Sequence, residues 1–429
     1  MAQVQIFIRK VLWKNAFFFP TAIWLSSRLF VWVAMLLLAP LLKVPIGGTH
    51  PSFGWGVFYA WDSLHYLSIA TSGYEYRDDG EQHNIAFFPL FPIIVREVMN
   101  LGIPFEVAGT LVNNLAFCAT LYCLYFWVEK HHGSSAARWV SAVAAWCPMS
   151  LFGSVIYTEG LYLFLSTAAL KAFDQKQYRW SAIWGAMATA TRPTGLALLP
   201  AFAIAAVKQR RSPTAYIVSI ATATGVLLFS LFCAIHFGDP LAFIKAQRGW
   251  RPSFGFNWQN WLEMLVQIAI GTSNWEDSSI QSPLHPLVLF IIVVTGCLLW
   301  RFRQRRNFLK VVGGFYYALI LFLLIVADDW FIYNLLNAVT ILGGSYVLWR
   351  LRTQLTLVAF IYGFCGIGLL LASGSTISLS RLSYGIVSLS VALGLLLSRH
   401  PRWGYLILGC FAVLLSRLAV RFAQKLWVG

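Results

Sequence analysis

The residues of this chain that are best suited to chemistry form a polar patch, WDSLHY at residues 61–66, in the loop after the first hydrophobic segment. Asp62 and His65 stand three residues apart, which places them on one face of a helix. A carboxylate held beside a hydroxyl group can take its proton as a general base. Asp62 is therefore a candidate catalytic base, although an ordinary surface aspartate or a helix cap fits the same residues.

The residues around the patch predict a helix. From Phe58 to Ala70 the apolar residues recur at helical spacing, with Tyr66 and Ile69 on the side predicted to face lipid. A helix of this kind lies in the interface plane of a bilayer. It would hold the carboxylate of Asp62 at the height of the lipid headgroups.

Composition indicates what kind of elements must hold this patch. The chain has 429 residues, of which 59% are hydrophobic and 11% charged, whereas about 25% are charged in a soluble domain. Many apolar runs reach the ~20 residues that cross a bilayer as a helix. We predict an all-α polytopic membrane protein, with residues 1–429 forming a single integral membrane domain. Seven cysteines, all in apolar stretches and without a CxxC pair, indicate neither a disulfide framework nor a zinc site.

The net charge of +16 would be consistent with binding to nucleic acid, but the distribution of the basic residues does not favour it. Basic residues recur as short clusters between apolar runs, which is the pattern of cytoplasmic loops in membrane proteins. Anionic lipid also attracts such clusters. We therefore predict membrane lipid, and no nucleic acid, as the partner of these charges. The clusters are Arg9, Lys10 and Lys14; Lys176 and Arg179; Lys208, Arg210 and Arg211; residues 301–310; Arg350 and Arg352; and Arg399 and Arg402.

The basic clusters predict twelve or thirteen spans and two long external loops, residues 40–104 and 237–283. Residues 180–207 must form a hairpin broken near Pro193. The last span would leave three basic residues outside, against the charge rule, so it either crosses or lies along the inner surface. The predicted spans are 17–39, 105–128, 138–156, 159–173, 180–192, 194–207, 214–236, 284–300, 311–327, 331–349, 354–372, 382–398 and 403–420.

Two further segments of the first external loop attract attention. The acidic stretch DDGEQH at residues 78–83 can bind a divalent cation through oxygen ligands, or it is a solvated loop. The segment AFFPLFP at residues 86–92 carries two prolines three apart, which break a regular helix. An apolar broken segment of this kind forms one wall of a groove for a lipid substrate, or it is a plain kinked span.

Polar residues recur at the predicted outer ends of other spans. Each is a functional candidate because it is ionisable near the membrane, and each taken alone fits a snorkelling or paired anchor. Their convergence on one side favours a polar cavity there. They are Tyr157-Thr158-Glu159, Thr191-Arg192, Gln247-Arg248-Gly249-Trp250-Arg251, Asp328-Asp329, and Arg381 with Tyr384.

Taken in order, these motifs resemble the PIG-V family, the GPI mannosyltransferase II enzymes and their bacterial relatives in the GT-C superfamily of membrane glycosyltransferases. The resemblance covers about residues 20–200. In place of the compact Ser-Arg-Tyr expected near the last external loop, the chain has Ser380-Arg381 followed by Tyr384. The motifs that carry the resemblance are WDSLHYLSIATSGY at 61–74, AFFPLFP at 86–92, YTE at 157–159 and TRPTG at 191–195.

The resemblance implies a GT-C-like helical bundle with interfacial helices in the first external loop. It also implies an inverting transferase that moves a sugar, mannose in this family, from a polyprenyl- or dolichyl-phosphate donor to a lipid or glycan hydroxyl. Asp62 would be the base. Arginine would bind the leaving phosphate, while Glu159 would position sugar or acceptor and His65 would orient Asp62 or contact phosphate. The substrate-binding candidates are His65, Tyr66, Glu159, Arg192, Arg248, Arg251 and Arg381.

The resemblance has further consequences for cofactors and location. A phosphate leaving group stabilised by arginine needs no metal, so no metal ligand is assigned. Binding of a divalent cation remains an alternative, because two pairs of adjacent aspartates could supply its ligands: Asp78 with Asp79, and Asp328 with Asp329. The site would lie on the external or lumenal face, in the plasma membrane of a bacterium or the endoplasmic reticulum of a eukaryote.

Two other classes of protein fit part of the pattern. A flippase or transporter of lipid-linked sugars would show repeat symmetry and charges at mid-bilayer, whereas here only Arg28 stands mid-span. A non-catalytic scaffold related to such transferases is the other. An Asp62→Asn variant separates the three, because only the transferase needs the carboxylate for its activity.

Overall fold

The computed structural model describes residues 2–250, 255–276, 279, 283–301, 315, 319 and 329–429, with side chains described from Phe17 onward except at 299 and 300. Every regular element within these residues is helical. They include the helices α1 (Ala2–Val33), α2 (Asp62–Ser72), α3 (Leu90–Met99), α4 (Phe105–Trp146), α5 (Glu159–Asp174), α6 (Tyr178–Thr191), α7 (Leu198–Lys208), α8 (Pro213–Ala221), α9 (Thr224–Phe237), α10 (Trp258–Ile270), α11 (Leu284–Arg301), α12 (Asp329–Ala338), α13 (Leu357–Leu371), α14 (Leu379–Tyr384), α15 (Val387–Arg399) and α16 (Pro401–Ala423).

Several of these helices, alone or continued by the next helical segment, are long and apolar enough to cross a bilayer. Within the described residues five qualify by length and composition, and shorter apolar helices accompany them. The prediction of an all-α polytopic membrane protein is confirmed. The predicted span 311–327 falls almost entirely outside the described residues. The five are Phe17–Leu41, Phe105–Trp146, Pro213–Phe237, Asp329–Arg350 and Pro401–Ala423.

The break predicted near Pro193 is present. Helix α6 ends at Thr191, a 3-10 turn spans Pro193–Ala197, and α7 begins at Leu198. Arg192 adopts an extended conformation, with φ −154° and ψ 144°, because the ring of the following proline disfavours the helical conformation.

The predicted spans 105–128 and 138–156 correspond to two helical segments that are joined through a break at Gly133. Helix α4 runs from Phe105 to Trp146 and is interrupted at Gly133, where φ is +79°. Glycine adopts this conformation without steric cost. The helix stops before the end of the predicted second span, because Pro148 starts a 3-10 turn, Pro148–Gly153.

The helix predicted from Phe58 begins later, and it faces protein. Trp55–Phe58 forms a 3-10 turn, and α2 starts at Asp62. Tyr66 and Ile69, predicted to face lipid, are buried in the protein core instead. The two prolines of the following segment do not break α3. Pro89 is its N-cap and Pro92 lies in its first turn, where no intrahelical N–H bond is lost.

Candidate active site

Four charged side chains from distant parts of the sequence form one cluster. The NH1 group of Arg381 donates to Oδ2 of Asp62 at 2.8 Å, and Nε of Arg381 lies 3.8 Å from Oε1 of Glu159. Arg192 completes the row, with NH1 2.6 Å from the same Glu159 oxygen. Two carboxylates therefore alternate with two guanidinium groups.

The cluster is buried at one end and reaches solvent at the other. The side chain of Glu159 is 1% exposed and that of Asp62 is 20% exposed. Oε2 of Glu159 and Oγ of neighbouring Ser380 have no hydrogen-bond partner within the described residues. Buried polar atoms are normally bonded, so these two atoms lack a partner that such atoms usually have.

Backbone contacts between two motifs fix the position of Asp62. The N–H of Ile156 donates to the carbonyl of Phe58 at 3.1 Å, and the hydroxyl of Ser63 donates to the carbonyl of Ile156 at 3.0 Å. Ser63 also accepts from the N–H of Ala60. The first-loop motif is thereby joined to the segment that leads into Glu159.

Trp61, just before Asp62, has an unusual backbone. Its φ is +57° and its ψ is −117°, a combination that costs a tryptophan conformational energy. Its ring packs edge-on against Trp427, with centroids 5.3 Å apart. The turn at Trp61 lets α2 begin with Asp62 at its N-terminus, where the helix dipole favours a carboxylate.

Glu159 occupies the equivalent position in α5. Asn113, buried in α4, accepts from the N–H of Gly160 at 2.8 Å and donates to the carbonyls of Phe152 and Val155 at 2.7 Å each. A Cβ at position 160 would collide with the carbonyl oxygen of Asn113. One asparagine therefore anchors both the turn before Glu159 and the start of its helix.

The two arginines are placed by helix ends. Arg192 is the residue that follows α6, where the helix dipole favours a cation. Arg381 lies in α14, whose start is held from α12: the N–H of Ser380 donates to Oδ1 of Asn337 at 2.7 Å, and the N–H of Ser378 donates to the hydroxyl of Tyr333.

Aromatic rings support Arg381. Its guanidinium carbon lies 5.4 Å from the ring centre of Phe152 and 5.3 Å from that of Tyr157, at distances where cation–π attraction operates. Burial alone would lower the pKa of Arg381, but the negative charge of Asp62, with that of Glu159, raises it overall. The guanidinium is therefore a fixed positive charge.

Tyr66 borders the cluster. Burial, followed by the negative charges of Asp62 and Glu159, raises the pKa of Tyr66 above its usual value. Its ring centre lies 6.5 Å from that of Tyr157. The phenol therefore stays neutral, and it can donate a hydrogen bond.

His65 lies apart from the charged row. Its ring stacks on Phe87 at 4.6 Å and meets Trp250 edge-on at 5.5 Å. Burial lowers the pKa of His65, although Asp62 and Glu75 act in the opposite direction. Within the described residues Asp62 is hydrogen-bonded by Arg381 rather than by His65.

Of the other predicted residues, those that the structure describes do not join the cluster. Arg248 is exposed, and Arg251 lies outside the described residues. Asp78 belongs to the acidic stretch predicted as a possible cation site, and its Oδ2 atom lies 3.6 Å from Nζ of Lys245. The same ammonium lies 2.8 Å from Oδ2 of Asp239. The described residues hold no group of three His, Cys, Asp or Glu side chains arranged for a metal. Asp328, from the second predicted pair, also falls outside the described part.

The arrangement can perform proton and phosphate chemistry side by side. Asp62 offers a partly exposed acceptor for a proton, and the neighbouring arginines offer donors for a phosphate. Sequence reasoning did not single out Asn113, Asn337 or Tyr333, because a buried asparagine or tyrosine in an apolar run carries no sign of its partner. It did notice the three basic residues near the end of the last span, Lys425 among them, because they break the charge rule.

Comparisons with known proteins support the resemblance read from the motifs. Residues 48–247 match the family model described as Mannosyltransferase (PIG-V). GPI mannosyltransferase 2 of Drosophila pseudoobscura pseudoobscura is 31% identical over 117 residues, which are 25% of this chain and 25% of that protein. Human GPI alpha-1,6-mannosyltransferase 2 is 26% identical over 147 residues, or 32% of this chain and 29% of that protein. The predicted resemblance to PIG-V is confirmed, over a quarter to a third of these relatives' length.

Solved structures resemble the chain more distantly. The oligosaccharyltransferase AglB of Archaeoglobus fulgidus, in complex with an inhibitory peptide and a dolichol-phosphate, is 12% identical with a TM-score of 0.44, covering 96% of this chain and 56% of AglB. ArnT of Cupriavidus metallidurans, bound to undecaprenyl phosphate, is 12% identical with a TM-score of 0.42, covering 86% of this chain and 77% of ArnT. Both TM-scores lie below 0.5, so neither likeness supports a conclusion.

Proposed function

We propose that this chain, whose residues 48–247 match the PIG-V mannosyltransferases, is an inverting membrane glycosyltransferase. It moves a hexose, mannose by family resemblance, from a polyprenyl- or dolichyl-phosphate donor to the hydroxyl of a lipid or glycan acceptor. The observation that carries the proposal is the contact of Asp62 with Arg381 at 2.8 Å. It brings a base and a phosphate-binding cation together.

In the reaction, the acceptor oxygen attacks the anomeric carbon of the donor sugar. Asp62 takes the hydroxyl proton, the new C–O bond forms, and the bond to the phosphate oxygen breaks on the opposite face. The lipid phosphate leaves with the electron pair. The exposed fraction of Asp62, 20% of its side chain, supports this role, because a base must reach its substrate hydroxyl.

Arg381 and Arg192 are the cations that bind the departing phosphate. Both belong to the cluster around Glu159, whereas Arg248 is exposed. Guanidinium groups bind phosphate through paired hydrogen bonds, and fixed positive charge stabilises the negative charge that develops in the transition state. The free Oε2 atom of Glu159 is a suitable acceptor for a sugar hydroxyl.

The location follows from the same cluster. Asp62 lies in the first external loop, and Glu159 and Arg381 stand at span ends that the charge pattern predicts to be external. We place the reaction on the external or lumenal face, where a prenyl chain stays in the bilayer while its sugar phosphate enters the polar cluster.

A flippase is less well supported. A flippase is expected to show repeat symmetry and charged residues at mid-bilayer, and Arg28 is the one charge that the sequence clearly places mid-span. Its guanidinium donates at 2.6 Å to the carbonyl and at 2.9 Å to the hydroxyl of Ser150, and at 2.7 Å to Ser154. A guanidinium engaged in this way is a structural group.

The test is transfer by purified protein in detergent or lipid. Incubation with a panel of polyprenyl-phosphate hexoses and glycolipid acceptors should release lipid phosphate. Asp62→Asn should keep donor binding and lower release by about 10³-fold, since general-base catalysis contributes 10²–10⁴-fold.

A matched variant, Glu81→Gln, changes an exposed carboxylate in the same loop and should leave the rate unchanged. Full activity of Asp62→Asn would refute the role of this residue. Transport of the sugar lipid by the same variant, without any transfer by the parent, would favour the flippase.

A further inference from the structure

The end of the last helix carries three basic residues that the charge rule does not explain. Arg417, Arg421 and Lys425 stand at the end of α16 predicted to be external, where basic residues are uncommon. The structure gives all three a specific partner at the same end of the protein as Asp62. These partners connect α16 with both halves of the catalytic pair.

Lys425 holds the loop that precedes Asp62. Its ammonium donates to the carbonyl of Gly56 at 2.7 Å and to the carbonyl of Tyr59, and it lies 5.7 Å from the ring centre of Tyr59. The residue before Lys425 adds a backbone contact, since the carbonyl of Gln424 accepts from the N–H of Thr49 at 2.8 Å. These contacts clamp residues 49–59 onto the segment that follows α16.

The clamp acts where the backbone is under strain. Trp61, two residues after Tyr59, has φ +57°, and its ring packs on Trp427. A strained conformation persists only when its surroundings hold it. Lys425 on one side and Trp427 on the other supply this restraint, directly before the residue that must be aimed at the substrate.

Arg417 and Arg421 hold the other half of the pair. NH2 of Arg417 lies 3.0 Å from Oδ1 of Asp329, and NH2 of Arg421 pairs with Oδ2 of the same carboxylate. Asp329 is the first residue of α12, the helix whose Asn337 bonds the N–H of Ser380, next to Arg381. Helix α16 thereby fixes α12, which in turn fixes α14.

We propose that Lys425, Arg417 and Arg421 are positioning residues that keep the loop of Asp62 in register with the helix of Arg381. The inference rests on the proposed function for its catalytic consequence only. The three basic residues lie outside residues 48–247, the region that matches the family model. None of the three residues needs to touch substrate, because each acts through the backbone or the helix that it holds.

The test measures amide hydrogen exchange on the full-length protein, together with transfer. Lys425→Met should raise exchange in residues 54–63 by about tenfold, since a hydrogen bond from a charged group is worth that order of free energy. Exchange in α5 and α6 should not change. The kcat for transfer should fall with little change in donor KM, because the phosphate-binding arginines are untouched.

Three further variants keep the result interpretable. Lys425→Arg should restore most of the protection, as its guanidinium can donate to both carbonyls. Asp329→Asn should raise exchange in residues 329–338 and 378–384 instead. Lys208→Met removes an exposed lysine at the predicted opposite face and should change neither region.

The outcomes separate this inference from the proposed function. Unchanged exchange in residues 54–63 of Lys425→Met, with unchanged exchange in 378–384 of Asp329→Asn, would overturn the inference whatever the activity. Increased exchange in a protein that transfers no sugar would leave the inference standing and refute the function. If Lys425→Met does not fold, the Lys425→Arg and Asp329→Asn results decide.

Discussion

Two arginines are buried against the same turn, Pro148–Gly153, and the protein satisfies them in different ways. Arg28 donates to the carbonyl and hydroxyl of Ser150, to Ser154 and to the carbonyl of Ala145. Arg381 lies over the ring of Phe152 and contacts Asp62 and Glu159. Backbone carbonyls surround the first guanidinium, and carboxylates surround the second.

The difference shows that a buried arginine can have either a structural or a functional role, depending on the partners of its guanidinium group. Nε, NH1 and NH2 of Arg28 all have neutral acceptors that are fixed by the fold, so nothing remains for a ligand. Nε of Arg381 has no hydrogen-bond partner within the described residues, and its carboxylate partner Asp62 is partly exposed. Only Arg381 can exchange a partner for a substrate without leaving the fold unsatisfied.

The largest effect is expected for Arg28→Met. The change leaves the carbonyl of Ser150 and the hydroxyl of Ser154 without the donor that Arg28 provides, and an unsatisfied buried acceptor costs about 1–3 kcal/mol. The carbonyl of Ala145 keeps the hydroxyl of Ser150 as a donor. The free energy of unfolding should fall by more than about 3 kcal/mol. Thermal unfolding of the purified protein in detergent checks this, and a loss no greater than that of Arg381→Lys would contradict the comparison.

Arg381→Lys should act on the reaction instead. Lysine keeps the charge but cannot contact Asp62 and Glu159 together in the geometry of a guanidinium. Transfer should fall by about 100-fold, as when one preorganised donor of a transition-state site is removed, with a smaller drop in unfolding temperature than for Arg28→Met. Arg179→Lys, an exposed arginine, is the control and should keep full activity.

Glu159→Gln should have a smaller effect on stability. The amide still fits beside Arg192 and Arg381, but it removes the negative charge that both guanidinium groups face. We expect a loss of about 2 kcal/mol in the free energy of unfolding, within the range for a buried group that loses its partner. Thermal unfolding measures it, against Glu97→Gln on the exposed side of α3; equal unfolding temperatures would show that Glu159 does not hold the cluster.

The smallest effect concerns His65 and pH. Because burial lowers the pKa of His65 below 6.5 in the folded protein, the unfolded chain takes up a proton first as the pH falls. The free energy of unfolding should therefore decrease as the pH drops below 6.5 and level off below the folded pKa. His65→Phe should weaken this pH dependence, whereas the control His50→Phe, at an exposed position, should not. Identical pH profiles for parent and His65→Phe would be the contrary result.

Much of the fold was predictable because apolar runs report directly on helices in a membrane. The predicted spans between residues 159 and 236 correspond closely to α5 through α9, and the break at Pro193 follows from proline chemistry. The lipid-facing side of α2 was predicted wrongly. Tyr66 and Ile69 pack on protein, and an apolar side chain carries the same signal whether it meets lipid or a neighbouring helix.

The candidate site was predictable residue by residue, but not as an assembly. Asp62, Glu159, Arg192 and Arg381 were all named from the sequence, and the structure brings these four together. Arg248 was an equally good candidate from the sequence, but its side chain is exposed in the structure. Their ranking depends on which helix ends meet, and residue type does not contain that information.

The sequence by itself determined the class of the protein, the approximate positions of most spans, and the residue types that can do chemistry. These depend on hydrophobicity, on proline and glycine, and on charge, which are local properties. Only the tertiary structure decided that Asp62 contacts Arg381, 319 residues away. It also decided that residues near the end of α16 contact both the loop before Asp62 and the helix that holds the start of α14. Such contacts depend on the packing of helices far apart in the chain, which no local pattern encodes.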